Sequence, residues 1–181
     1  LICFIIFFIT SICTAEIPVY RDTGADIEDR IGDLLSRMTL DEKAAMLAGD
    51  TTHFDSKPNP SLGIPALRMT DGPVGVRWGQ AAAFPASVCM AATWNPDLIY
   101  SLGQALGRET KAKGRNVLLA PCVNIHRVPQ GGRNFESFGE DPYLAGKITV
   151  DYIRGVQSEN VIATVKHYAC NNQEFERSGI D

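Results

Sequence analysis

The sequence has little of what nucleic-acid-binding, membrane-spanning or fibrous proteins require. Its 181 residues carry 17 lysines and arginines against 21 aspartates and glutamates, a formal charge of -4, so it offers no surplus of positive charge to nucleic acid or anionic lipid. No apolar run reaches the about 20 residues of a membrane-spanning helix. The balance of 45% hydrophobic and 21% charged residues is that of a globular protein. We therefore expect neither a nucleic acid partner nor a membrane span.

Metal-binding and cofactor-binding patterns are also missing. The chain has 5 cysteines and 3 histidines, with no C-x-x-C pair and no histidines spaced four apart, so a zinc site or a disulfide framework is disfavoured. The glycine-rich phosphate loops, H-E-x-x-H and G-x-S-x-G are absent, which argues against nucleotide-binding, zinc-protease and serine-hydrolase functions. We expect no metal and no cofactor, and we expect Cys89, Cys122 and Cys170 to be small buried apolar side chains.

The N-terminal residues are the most apolar part of the sequence. Residues 1–9 are almost unbroken apolar sequence, and Cys13 and Ala15 are small residues suited to a cleavage site. This length and pattern favour a secretory signal peptide over a buried strand. Because no initiator methionine and no basic residue precede the run, we expect residues 1–15 to be a partial signal peptide. The interpretation predicts a secreted protein, extracellular or periplasmic.

Four helices are predicted from apolar periodicity and from their start signals. Residues 26–38 carry one apolar face, and residues 39–47 open with a capping box formed by Thr39 and Glu42. Each of the other two helices begins where a capping residue precedes a proline. These two helices start after Asn95 and Asp141, and their apolar stripes are Leu98, Leu102 and Leu106 in one and Leu144, Ile148, Tyr152 and Val156 in the other.

Three short apolar runs between or after these helices have the character of strands. They are residues 66–70, 117–120 and 161–165. Strands that alternate with helices predict a parallel sheet in an α/β fold.

Polar residues directly follow each predicted strand. Asp71 follows the first, residues 124–127 follow the second, and Lys166 and His167 follow the third. The carboxyl ends of parallel strands form the active-site edge in a (β/α) barrel and in an open doubly wound sheet, so position alone leaves both folds open.

Charged and aromatic side chains near these strand ends suit a neutral, polyhydroxylated ligand. The alternative is that each charged pair only fixes a loop, which is the commoner role of such pairs. Because all of them fall at one edge of the predicted sheet, we favour a polar binding pocket. The residues are Asp71 with Arg77, Arg133 with Glu136, Lys166 with His167, and the rings of Trp78 and Phe135.

Four stretches are long and specific enough to compare with a known family. They are L-G-I-P-A-L-R-M-T-D-G-P-V-G-V-R (62–77), F-P-A-S-V-C-M-A-A-T-W-N-P-D-L (84–98), G-G-R-N-F-E-S-F-G-E-D-P-Y-L (131–144) and V-K-H-Y-A-C-N-N-Q-E (165–174). Together they resemble glycoside hydrolase family 3, over about residues 27–181. The resemblance implies that residues 16–181 are the N-terminal portion of a (β/α) barrel domain. The predicted fold class is therefore α/β, a partial (β/α)8 TIM-type barrel whose C-terminal part is missing, because a complete barrel takes about 250 residues.

The same resemblance implies a retaining, exo-acting β-glucosidase that releases terminal β-D-glucose from a β-glucoside or oligosaccharide. The positions that match the family's sugar-binding residues are Asp71, Arg133, Lys166 and His167. Retaining hydrolysis also needs a nucleophile and an acid/base about 5 Å apart. In the family an aspartate and a glutamate from later segments fill these roles. We therefore expect no catalytic residue in this sequence and no activity from this chain alone.

Three local expectations accompany this assignment. Lys166 and His167 are adjacent, and neighbouring side chains of a regular strand point to opposite faces. If both bind the sugar, we expect an unusual peptide geometry at this point. Within the arginine motif, Glu136 is expected to orient Arg133, and Asp141 is expected to cap a helix.

Other functions remain open at this stage. A β-xylosidase of the same family, or a non-catalytic secreted relative that only binds sugar, would share the same residues. A hexosaminidase is less favoured, because the second histidine typical of that group is replaced in the segment after His167. A metal-dependent barrel enzyme ranks lower still. The sequence gives no indication of the oligomeric state.

Overall fold

The computed structural model describes residues 17–50, 52 and 54–179, and the chain divides into two units, Leu1–Ala45 and Met46–Asp181. The predicted signal peptide, residues 1–15, lies outside the described residues. None of the helices in the described part of the chain combines the length and the hydropathy of a membrane span.

The first unit holds helix α1, Ile27–Arg37, and most of α2, Leu40–Leu47. Asp26 caps α1 by accepting a hydrogen bond from the Glu28 N–H at 2.8 Å. The capping box predicted at the start of α2 is confirmed, because the Thr39 hydroxyl accepts from the Glu42 N–H at 3.2 Å and the Glu42 carboxylate accepts from the Thr39 N–H at 2.9 Å. The predicted apolar face of α1 is present but exposed, with Ile27 at 65% exposure.

The second unit is built on a three-stranded parallel sheet. Its strands are β1, Met69–Asp71, β2, Val117–Leu119, and β3, Ile162–Ala163, in the spatial order β1-β2-β3. The helices that connect them are α3, Ser87–Ala91, and α4, Pro96–Ala112, between β1 and β2, and α5, Pro142–Gln157, between β2 and β3. The predicted alternation of strands and helices in a parallel α/β fold is confirmed.

The strands are shorter than predicted because their backbones bend at the carboxyl ends. The Ala120 N–H turns back to the Leu118 carbonyl at 2.9 Å, and Pro121 has no N–H to continue the ladder. On the third strand, the Thr164 N–H reaches the carbonyls of both Leu118 and Ala120, at 3.0 and 2.9 Å. The ladder therefore ends irregularly at the edge where the predicted site residues lie.

Helices α4 and α5 pack with their backbones almost in contact. A Cβ atom on Gly103 of α4 would lie 2.5 Å from the Tyr152 carbonyl oxygen, and one on Gly155 of α5 would overlap the Tyr100 carbonyl oxygen. Only glycine fits at this crossing. The core around it is apolar and includes Ile99, Leu106, Leu118, Ile148, Tyr152 and Val156.

Two predictions about burial need correction. The stripe predicted on α5 is confirmed from Ile148 onward. The stripe predicted on α4 is confirmed at Leu106, which is buried, and at Leu102, which packs against the core, but Leu98 is 41% exposed. The face of α4 that packs against α5 also includes Gly103, because the close crossing needs a residue without a side chain. Of the three cysteines predicted to be buried, Cys122 is buried and unpaired, whereas Cys89 and Cys170 are exposed and unpaired.

Candidate functional site

The carboxyl edge of the sheet brings Asp71 and Lys166 together. Asp71 is the last residue of β1, and Lys166 lies three residues beyond β3. The Lys166 Nζ is 2.8 Å from the Asp71 Oδ1, and the two side chains are 14% and 31% exposed. Because β2 lies between β1 and β3, this ion pair reaches across the end of the central strand. Lys166 is held there by its own backbone, which bonds to Pro121 and Val123 at 3.0 and 2.8 Å.

Asp71 does not pair with Arg77 as the sequence suggested. The Arg77 backbone N–H donates to the Asp71 carbonyl at 2.9 Å, and the Asp71 carboxylate is taken by Lys166 instead. The ring of Trp78 makes a cation–π contact with Arg115, whose guanidinium lies 3.4 Å from the ring centre. Phe135 is 49% exposed.

Arg133 is held between two carboxylates. Its guanidinium lies 2.6 Å from the Glu136 Oε2 and 3.5 Å from the Glu174 Oε1. The hydrogen bond to Glu136 raises the pKa of Arg133. The predicted pairing of Glu136 with Arg133 is therefore found, and Glu174 is a second partner that the sequence did not reveal.

Glu136 is a buried but ionised carboxylate. Burial raises the pKa of Glu136, but hydrogen bonds from Arg133 and Cys122 and the positive charge of Lys166 lower it by more, so its pKa lies below the ordinary value. The Cys122 thiol donates to the Glu136 Oε2 at 3.4 Å, and burial raises the pKa of this thiol to about 12. Cys122 is therefore a neutral donor and not a thiolate.

His167 is anchored by a single side chain, that of Asn124. The Asn124 Oδ1 lies 3.1 Å from the His167 backbone nitrogen and 2.9 Å from its Nδ1. Burial lowers the pKa of His167, and the positive charges of Arg133 and Lys166 lower it further. The peptide bond between Lys166 and His167 is cis, which is the unusual peptide geometry expected at this point.

The structure thus gathers the four predicted residues at one edge of the sheet. Asp71 contacts Lys166, which is bonded in the chain to His167, and the charge of Arg133 acts on His167. Glu136 carries the negative charge that offsets the two cations, because the positive charges of both Arg133 and Lys166 lower its pKa. The result is a mostly buried group of two carboxylates, two cations and a neutral imidazole.

An open cavity of about 710 Å³ lies beside this group. His167 is the member of the group that lines the cavity; Asp71, Arg133 and Lys166 do not line it. A smaller cavity of about 200 Å³ is lined by His167 and Asn124. Among the described residues no group of three or more histidines, cysteines or carboxylates is arranged to hold a metal ion. Further lining residues of the larger cavity that the sequence had not singled out are Val128, Asn172 and Gln173.

Comparison with known proteins gives a consistent result. The model of the glycosyl hydrolase family 3 N-terminal domain matches residues 28–181. Beta-glucosidase BoGH3A of Bacteroides ovatus is 49% identical, over 92% of this chain and 24% of the relative. Beta-glucosidase B of Emericella nidulans is 50% identical, over 80% of this chain and 18% of the relative. The chain therefore spans between 18% and 24% of the length of these curated relatives.

Solved structures agree with the sequence relatives. The crystal structure of the beta-glucosidase from Kluyveromyces marxianus in complex with glucose is 41% identical with a TM-score of 0.76, over 80% of this chain and 18% of that one. The structure of beta-glucosidase 3B from Thermotoga neapolitana in complex with glucose is 38% identical with a TM-score of 0.71, over 80% of this chain and 24% of that one.

Proposed function

The chain belongs to glycosyl hydrolase family 3, and on that premise we propose that it forms the sugar-binding part of a retaining, exo-acting β-glucosidase. The substrate is a β-glucoside or oligosaccharide, and the product is terminal β-D-glucose. We further propose that β1, β2 and β3 are consecutive strands of a (β/α)8 barrel. The apolar residues 1–9 support a secreted protein.

The observation that carries this proposal is the charged group at the carboxyl edge of the sheet. The Asp71–Lys166 pair leaves one carboxylate oxygen and two ammonium hydrogens for a ligand, and Arg133 presents further N–H donors. A sugar hydroxyl both donates and accepts, so it matches this alternation of acceptors and donors. Hydrogen bonds to charged groups are short and strong, and those to ring hydroxyls strengthen as the sugar distorts towards an oxocarbenium-like state.

We assign substrate positioning to these residues and not bond cleavage. A nucleophilic carboxylate must face the anomeric carbon, whereas the Asp71 carboxylate is paired with Lys166 and the Glu136 carboxylate with Arg133. A general acid must hold a proton near neutral pH, and Glu136 is ionised because its pKa is lowered. Neither carboxylate suits a covalent or proton-transfer role.

The test compares Asp71 with a nearby carboxylate outside the group. In the complete gene product, Asp71→Asn is expected to lower kcat/KM for 4-nitrophenyl β-D-glucopyranoside roughly tenfold to more than a hundredfold, which corresponds to about 1.5–3 kcal/mol. Glu140→Gln, at an exposed carboxylate, serves as the matched control and is expected to keep wild-type kinetics. Melting temperatures of both variants should stay close to that of the wild type.

Three outcomes would contradict the proposal in different ways. Faster turnover of the xylopyranoside would indicate a β-xylosidase. Glucose binding without turnover of either substrate would indicate a non-catalytic sugar-binding protein. Equal losses in the two folded variants would reject the assignment of Asp71 to the sugar site.

A further inference from the structure

The contact between Asn124 and His167 determines which atoms donate and which accept. A backbone N–H can only donate, so the Asn124 atom that lies 3.1 Å from the His167 nitrogen must be the amide oxygen and not the amide nitrogen. The same oxygen lies 2.9 Å from the His167 Nδ1. Because this oxygen only accepts, Nδ1 must carry a hydrogen. The orientation of the amide thus fixes the position of a ring proton.

The second ring nitrogen, Nε2, is then a hydrogen-bond acceptor whenever the imidazole is neutral. The charged groups that act on the ring are the cations Arg133, Lys166 and Arg177 and the anion Glu136. Burial lowers the pKa of His167, and the cations lower it further, so the neutral form dominates at neutral pH. Among the described residues, Asn124 is the hydrogen-bond partner of the imidazole, and the ring lines both cavities at this edge.

We propose that Asn124 is a positioning residue that holds His167 with its hydrogen on Nδ1, so that Nε2 accepts a hydrogen bond from a sugar hydroxyl. This inference rests on the proposed function and adds a specificity rule to it. Lys166 and Arg133 can only donate, so the hydroxyls that they meet must accept. The hydroxyl that meets His167 must instead donate. The hydroxyl at His167 is therefore read by the same rule as one that meets the Asp71 carboxylate, and by a different rule from those that meet Lys166 and Arg133.

Monodeoxyfluoro-glucoses test this rule directly. Fluorine in place of a hydroxyl cannot donate a hydrogen bond, and the rest of the ring is unchanged. We expect fluorine at the ring position whose hydroxyl meets His167 to raise the Kd about three- to tenfold over that of glucose in the wild-type complete gene product. This ratio of Kd values corresponds to the loss of one neutral hydrogen bond. In Asn124→Ala either ring nitrogen can carry the proton, so this ratio of Kd values should fall towards 1. A variant that lowers only the melting temperature and keeps the wild-type ratio would overturn the positioning role.

A second variant keeps both hydrogen bonds and changes the charge. Asn124→Asp still accepts from the His167 N–H and Nδ1–H, but its carboxylate raises the pKa of His167. In the wild type, the acceptor at Nε2 is lost as the pH falls through the lowered pKa of the ring. In Asn124→Asp, the loss of glucose affinity on acidification should therefore begin at a higher pH.

The matched control is Asn95→Asp, which introduces the same charge at the cap of α4, where Asn95 accepts from the Leu98 N–H at 3.1 Å. This control is expected to leave the pH profile of glucose affinity unchanged. If Asn124→Ala fails to fold, Asn124→Asp carries the test alone. An unshifted profile in a folded Asn124→Asp variant that still binds glucose would reject the inference. A wild-type protein that binds no glucose would instead reject the proposed function.

Discussion

The α4–α5 layer and the carboxyl edge of the sheet are organised on opposite principles. In the helix layer, Gly103 and Gly155 let two backbones touch, and the buried hydroxyl of Tyr152 donates to the Pro73 carbonyl at 3.3 Å. At the sheet edge, charged side chains such as Lys166 are paired but remain in reach of solvent. Steric fit therefore determines how the two helices pack, and pairing of opposite charges determines how the side chains at the sheet edge are arranged.

This difference teaches where stability and function reside. The interior residues of the layer have near-zero exposure, so their substitution acts on packing, which governs stability. At the edge, the Lys166–Asp71 pair, with side chains 14% and 31% exposed, keeps a charged donor and a charged acceptor in place at the proposed ligand site. Substitutions in the two regions should consequently change different measurements.

The largest effect is expected at the helix crossing. Gly155→Ala places a methyl group against the Tyr100 carbonyl and forces α4 and α5 apart, so we expect a loss of about 3 kcal/mol in the free energy of unfolding. Gly146→Ala is the matched control in the same helix, because a Cβ there meets nothing within 4 Å. That variant should gain about 0.5–1 kcal/mol from helix propensity. Urea unfolding of the full chain measures both, and equal stabilities of the two variants would contradict the close crossing.

The next effect is expected on kinetics at the sheet edge. Arg133→Ala and Lys166→Ala each remove a charged donor from the proposed sugar site, so kcat/KM of the complete gene product should fall roughly tenfold to more than a hundredfold if the proposal holds. The loss should appear mainly in kcat if the contacts strengthen in the transition state. Arg154→Ala removes an arginine that is 69% exposed and 3.7 Å from Asp151, and it is the control. If the folded Arg133→Ala and Lys166→Ala variants keep a normal kcat, these two residues only fix the loops in which they lie.

Local signals in the sequence predicted much of the fold. Asn95 and Asp141 begin α4 and α5 as expected, because a capping side chain acts on an N–H only two or three residues away. The buried face of α4 was predicted only in part, because Leu106 is buried whereas Leu98 is 41% exposed. Its leucines give the stronger apolar signal, but the close approach of α5 selects Gly103, and this partner lies far away in sequence.

The sequence predicted that Asp71, Arg133, Lys166 and His167 lie at one edge of the sheet, but several of their partners were not predicted. Asp71 was assigned to Arg77, six residues on, whereas the parallel order of the strands brings Lys166 to it from 95 residues away. Asn124 was recognised only as part of a polar run after a strand. Its contact with His167 depends on how two chain segments meet beyond the sheet, which no local pattern specifies.

A smaller effect is expected of Glu136 on the free energy of unfolding at acidic pH. The pKa of Glu136 is lower in the folded chain than its ordinary value, so the ionised carboxylate stabilises the fold above the unfolded pKa. This contribution is lost as the pH falls through the lowered pKa. Glu136→Gln should be less stable than the wild type at pH 7 and should lose less stability on acidification. Urea titrations between pH 3 and pH 7 measure these stabilities. The control Glu140→Gln removes a carboxylate without a buried ion pair and should follow the wild type. A Glu136→Gln profile parallel to that of Glu140→Gln would contradict a stabilising role for the ionised Glu136 carboxylate.

The smallest effect concerns Asp141, which joins the two regions. It belongs to the same motif as Arg133 and Glu136, yet its carboxylate accepts a hydrogen bond from the Tyr143 N–H at 2.8 Å and so caps α5. Asp141→Ala removes this cap and should cost about 1 kcal/mol of stability, while Asp141→Asn keeps an acceptor in place and should cost only a few tenths. Neither variant is expected to change kcat/KM, because the cap acts on the helix layer and not on the ligand. Melting curves and initial rates on the same preparations measure both quantities. A normal melting temperature with a tenfold loss of kcat/KM would move Asp141 from the helix layer to the binding edge.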